Sequence, residues 1–224
     1  MSAHDIIYSF VSSFIALFPV VNPIGSGFII NGFLQDMDDI QRKSAIKKII
    51  TNCLLVGIGS LIAGHLILLL FGLAVPVIQV GGGIVICKTG LEWLSDSGTK
   101  STDNQQKAIN KVNIDDIENK LFYPISFPIA LGPGSISVIF TLMAAATVQT
   151  SLLHVGINYF IIVLSIISML VILYIFLKEG PRIMKKIGSA GNMIINKMVA
   201  FITFCIGIQI LIKGIAEIFH LKIM

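Results

Sequence analysis

The chain has 224 residues, 55% of them apolar and only 12% charged, with a formal net charge of +4 and a mean hydropathy of +0.90. No water-soluble domain of this size has that balance, and runs of eighteen or more mostly apolar residues read as membrane spans. The basic excess sits in the connections between those runs, which is a topology signal and speaks against a nucleic-acid partner.

Six apolar segments follow in chain order, near 6–34, 49–71, 74–95, 122–147, 152–177 and 192–219. The polar connections are 35–48, 96–121 and 178–191, and very short turns join the second to the third and the fourth to the fifth. Arg42, Lys43, Lys47 and Lys48 fall in the first connection, and Lys100, Lys107, Lys111 and Lys120 in the second. Lys178, Arg182, Lys185, Lys186 and Lys197 fall in or beside the third. The positive-inside rule then places all three connections in the cytoplasm and both termini outside it. The start, Met1 to Asp5, lacks the basic region of a secretory signal, so the first span is expected to be retained. Cys53, Cys87 and Cys205 lie inside apolar stretches without CxxC spacing and read as buried small hydrophobes.

The first and fourth segments are interrupted in matching ways. Phe18-Pro19-Val20-Val21-Asn22-Pro23-Ile24-Gly25-Ser26 has a counterpart in Phe127-Pro128-Ile129-Ala130-Leu131-Gly132-Pro133-Gly134-Ser135. Proline removes a backbone donor, and glycine relaxes the φ restriction. Such breaks survive at membrane depth only against protein or a polar cavity. The first segment, about 29 residues, would run over roughly 40 Å as one helix, beyond a hydrocarbon core of about 30 Å. A break at Asn22–Gly25 absorbs the excess. The helix restarted there has unpaired N–H groups and a positive dipole end, which suit a carboxylate. The expected ligand-binding set is therefore Asn22, Pro23, Gly25 and Ser26 with Gly132, Pro133, Gly134, Ser135 and Ser137. The plainer alternative is a pair of proline kinks that only shape two packed helices.

Other polar and small residues also lie at membrane depth. Gln209, between Gly207 and Gly214, must find a partner or a ligand and joins the binding set. Gln79 precedes Gly81, Gly82 and Gly83, and with Gly82 and Gly83 is assigned to helix packing or gating. His65 reads as an interhelical hydrogen bond or a proton relay. Asn52 and Asn158 read as interhelical links. Gly83 and Gly90 in the third segment are seven residues apart, as are Gly207 and Gly214 in the sixth, so each pair lines one helix face and permits close approach. Lys88 with Glu92 and Lys213 with Glu217 sit near span ends and read as anchors. No Asp or Glu falls mid-span, and no metal-ligand cluster or cofactor motif is present.

These features predict an all-α integral membrane protein with six spans in two halves, 1–95 and 122–224. The polar stretch 96–121 joins them as a cytoplasmic linker, with a short surface helix around 105–120 as an option. Three spans per half make the second half inverted with respect to the first, an arrangement of many secondary transporters.

FPVVNPIG, VGGGIV, FPIALGPGSIS and GIQILIKGI, in that order, resemble the MarC family of six-span proteins of the cytoplasmic membrane. The resemblance covers nearly the whole chain outside the linker. It implies a kinship with small exporters of the LysE type and, from an archaeal member, transport of small neutral amino acids such as glycine and alanine. It marks Asn22, Pro23, Gly25, Gly132, Pro133, Gly134, Gly82, Gly83, Gln209 and Gly214. Phe28 stands where members often have proline, and Gln79 where many have arginine. The leading expectation is a secondary transporter of small zwitterions by alternating access, with a small-solute channel as the alternative. An intramembrane enzyme ranks last, because HExxH, GxSxG and paired aspartates are absent. The expected partners are the small amino acid and the lipid bilayer; a homo-oligomer is left open.

Overall fold

A computed structural model describes residues 3–35, 37–95, 120–147 and 151–219, with the backbone alone for a few of these, His65 among them. All described elements are helical. They are α1 (Ala3–Val21), α2 (Pro23–Phe33), α3 (Asp39–Phe71), α4 (Val75–Ser95), α5 (Leu121–Ala130), α6 (Pro133–Thr147) and α7 (Leu152–Ile218). Five helices are long and apolar enough to cross a membrane, or six when the bent pair α5–α6 is one span.

Two of the expected connections are largely helical instead. Asp38 caps α3 by accepting from the Ile40 and Gln41 amides, while Gln41 Oε1 accepts from the Asp38 amide. This reciprocal cap starts the helix at Asp39, so most of 35–48 belongs to α3. At its other end Gly72 takes a left-handed φ of 59°, which glycine allows without a Cβ penalty. The stretch 178–191 likewise continues α7, whose helical course breaks only at Gly188 (φ 72°, ψ 173°). That glycine divides α7 into an amino arm, Leu152–Ile183, and a carboxyl arm, Met193–Ile218, each long enough to span. The possible surface helix at 105–120 and most of the linker lie outside the described residues.

The two halves share one core. Leu17 and Ile30 from the first helices pack in the same cluster as Ile86, Leu131, Ile139, Met143, Ile166 and Leu173. The closest seam joins α4 to the carboxyl arm of α7, running antiparallel. A Cβ added at Gly83 would lie 2.7 Å from the Leu211 amide nitrogen, and one at Gly90 2.7 Å from that of Phe204. At Gly207 it would meet the Cys87 nitrogen at 2.7 Å, and at Gly214 the Pro76 carbonyl at 2.8 Å. All four distances are too short for any side chain, so the two backbones touch where the glycines fall.

Charged groups close the helix ends. Lys197 Nζ donates to the carbonyls of Trp93 (3.1 Å) and Leu94 (2.6 Å), satisfying the last turn of α4. Arg42 serves two helices at once, donating to Leu34 O (3.1 Å) at the end of α2, to Asn31 Oδ1, and to Leu177 O (2.9 Å) inside α7, where Pro181 four residues on has no N–H to give. Asn31 in turn donates to Gly27 O (2.8 Å) and Phe176 O (3.0 Å), tying α2 to the amino arm of α7.

Candidate functional site

The first break is a single left-handed residue. Asn22 adopts φ 44°, ψ 60°, a conformation that asparagine tolerates better than most residues with a Cβ. Pro23 then opens α2 at the first helical position, where its fixed φ suits the start of a helix. The interruption is shallow enough for His4–Phe33 to form one span. Pro23 still cannot donate to the carbonyl four residues earlier, that of Pro19, and Thr203 in the carboxyl arm of α7 supplies the donor. Its hydroxyl is fully buried and lies 2.9 Å from Pro19 O and 2.8 Å from Val199 O.

The polar groups expected to face a ligand at this break are turned inward. The Gly25 amide donates to Asn22 Oδ1 at 2.9 Å, and the Ser26 amide to Asn22 O at 2.9 Å. The Ser26 hydroxyl donates to Asn22 O (2.7 Å) and Val21 O (3.2 Å). This corrects the sequence expectation of bare amides. Asparagine at this position is a helix cap, and it takes the donor that was to meet the ligand.

The second break is different. Tyr123 and Phe127 are extended, with ψ 123° at both, because each precedes a proline that disfavours the helical region. The helix Leu121–Ala130 is widely wound, and at its end Leu131 N donates five residues back to Ser126 O at 3.0 Å. Ser126 is buried and donates to Leu121 O at 2.6 Å, and it also approaches Ile49 O of α3 at 3.5 Å. The chain then bends by 60° before α6 begins. Ser135, in the first turn of α6, is fully buried, and its hydroxyl has no hydrogen-bond partner. Ser137 donates to Pro133 O at 3.0 Å. Pro133 is exposed and Gly132 half-buried, so this break reaches the surface where the first is sealed.

The structure brings the two breaks together. A Cβ added at Gly134 would lie 3.0 Å from Val20 Cγ1 and 3.6 Å from Ile86 Cγ1. Gly82 of α4 faces Ser137 in the same way, at 2.8 Å from its Cβ. Val20, Gly134, Ser137, Gly82 and Ile86 therefore form one contact zone between α1, α6 and α4. Gln79 lies on α4 beside Gly214, buried, with its Oε1 unpartnered.

Gln209 is not part of this zone. Its side chain is exposed on the carboxyl arm of α7. The reason is helical phase: two residues past Gly207 is a turn of about 200°, which points Gln209 away from the glycine seam. Cys205 is exposed as well, and Cys87 half-buried, so only Cys53 matches the buried reading. Asn52 is half-buried, and its Nδ2 has no partner. The Lys88–Glu92 pair is exposed on α4, its charges 3.8 Å apart. The side chain of His65 lies outside the described residues. A groove of about 470 Å³ along α4, lined by Cys87, Lys88, Leu91, Glu92 and Leu211 among others, contains none of the break residues. Among the described residues no three His, Cys, Asp or Glu side chains group as a metal site.

Thr203, Asn31, Arg42 and Ser126 were not singled out from sequence. One signal for Thr203 existed, because a proline at 23 leaves the carbonyl at 19 seeking a donor from another helix.

Comparison with known proteins accords with this architecture. The chain matches the MarC family integral membrane protein profile over residues 7–219. It is 24% identical over 219 residues to a UPF0056 membrane protein of Pyrococcus abyssi, covering 96% of this chain and 98% of the relative. A UPF0056 membrane protein of Methanocaldococcus jannaschii is 26% identical over 216 residues, covering 96% and 90%. The UPF0056 inner membrane protein MarC of Escherichia coli K12 is 25% identical over 209 residues, covering 91% and 92%. No solved structure matches. A multi-pass, all-helical chain whose whole membrane region fits one profile has a clear family assignment: it belongs to the MarC family of integral membrane proteins.

Proposed function

We propose that this protein is a secondary transporter for small neutral amino acids or similar small zwitterions, working by alternating access between two inverted three-span halves. The observation that carries the reading is Ser135: a fully buried hydroxyl without a partner, in the first turn of a helix, where backbone N–H groups begin without intrahelical acceptors. A buried polar group left unmade is costly, and a ligand carboxylate is the partner those donors suit. At Gly82 and Gly134 the side chains of Ser137 and Val20 already take the place of a Cβ, so a ligand admitted beside Ser135 has to be small, which fits glycine or alanine better than a bulky side chain. The inward-turned Asn22 and Ser26 fit a resting arrangement in which the first break is closed on itself. The antiparallel seam of α4 on the carboxyl arm of α7 is consistent with halves of opposite orientation. The basic connections favour cytoplasmic loops and termini on the other side.

The test is reconstitution into vesicles with labelled glycine, alanine and serine, with and without a proton or sodium gradient. Saturable uptake that follows a gradient supports the reading. A conductance or water flux that does not saturate supports a channel instead. Ser135→Ala should weaken apparent substrate affinity by roughly 3- to 10-fold, the worth of one hydrogen bond. It should leave thermal stability unchanged or raised, because the hydroxyl it removes has no partner in the free protein. Unaltered transport in that variant would count against the site.

A further inference from the structure

The exposed face of the carboxyl arm of α7 carries a seam that lipid does not explain. Met198, Ile202, Cys205, Gln209 and Ile212 are all exposed. Their spacing is four, three, four and three residues, which keeps them in line along a helix that pairs with another at a shallow left-handed crossing. The arm spans Met193–Ile218, so Gln209 stands more than two turns from either end, roughly 14 Å from the nearer one, too deep for a short amide to reach water. Its side chain makes no hydrogen bond to any described residue. Hydrocarbon offers it nothing.

We propose that this seam is the contact face between two copies of the chain, with the Gln209 amides paired across a twofold axis along the membrane normal. The amide itself argues for a second copy over other occupants. One carboxamide offers a donor and an acceptor and is its own complement, so two of them close a pair of reciprocal hydrogen bonds. Copies inserted in one membrane share an orientation, so a twofold along the normal sets the two arms parallel with Gln209 level with its twin. Cys205, one turn away on the same seam, then falls beside the Cys205 of the second copy.

That cysteine makes the proposal testable in the membrane without reference to transport. In a Cys53→Ala, Cys87→Ala background, oxidation of intact membranes with copper phenanthroline should give a disulfide-linked dimer, and Cys205→Ala should abolish it. Gln209→Leu, on a surface where no packing is lost, should weaken association by about 3- to 15-fold, the span of interhelical polar contacts in membranes. Native mass spectrometry of the unmodified protein in lipid discs should show the two-chain mass. A single-chain mass at every loading would overturn the proposal. So would a dimer indifferent to Gln209→Leu, or a lipid retained on a single chain in a Gln209-dependent way.

Discussion

A carbonyl orphaned in one helix and a hydroxyl 184 residues away make the most telling single contact in the molecule. Pro23 creates the need, and Thr203 answers it from the other half of the chain. Thr203→Val keeps the shape but leaves Pro19 O buried without a donor, at a cost of about 1–3 kcal/mol. Thermal unfolding in detergent should register that loss, and Thr203→Ser should recover most of it. Contacts of this kind explain what sequence reading reached and what it missed. Proline and glycine announce a broken helix, because their chemistry is local. The partner of a freed carbonyl is set by which helix happens to lie alongside, and nothing near residue 203 names it. Gln209 is the instructive miss: nearness in sequence sets it with Gly207 and Gly214, yet the helical angle turns it to the exposed side while both glycines are buried.

Among the helices, the seam of α4 with the carboxyl arm of α7 was legible from its two glycine pairs, whereas the Arg42 cluster was not. Arg42 sits in a basic connection and reads there as a topology signal. Its guanidinium serves the end of α2 and a carbonyl that Pro181 leaves free inside α7, because a planar fork of donors can meet acceptors that a single ammonium cannot. Arg42→Ala should destabilise the protein by about 2–4 kcal/mol, with Arg42→Lys recovering only part, as followed by limited proteolysis or thermal unfolding. Gly207→Ala should cost about 1–3 kcal/mol, because the added methyl meets the backbone nitrogen of Cys87 as well as its sulfur, and the backbone cannot step aside. Gly59→Ala is the fitting control, since nothing lies within 4 Å of a Cβ there; it should be neutral or slightly stabilising.

For the whole molecule, the halves drawn from sequence as separate repeats do not stand apart in space. Val20 meets Gly134, Pro19 meets Thr203, Arg42 meets Leu177 and Trp93 meets Lys197, and each of these pairs crosses from one half to the other. Fragments 1–95 and 120–224 should therefore be degraded when expressed singly and co-purify when expressed together, as an affinity tag on either one would reveal. The same mutual dependence bears on how such a body could move. Where α4 crosses the carboxyl arm of α7, backbone touches backbone, and the side chains of Leu211, Phe204, Cys87 and Gln79 seat against the glycines of the facing helix. A crossing this close acts as a rivet: any rearrangement of one half against the other must leave this line in place and break the outlying ties, such as Arg42 to Leu177 and Thr203 to Pro19, first.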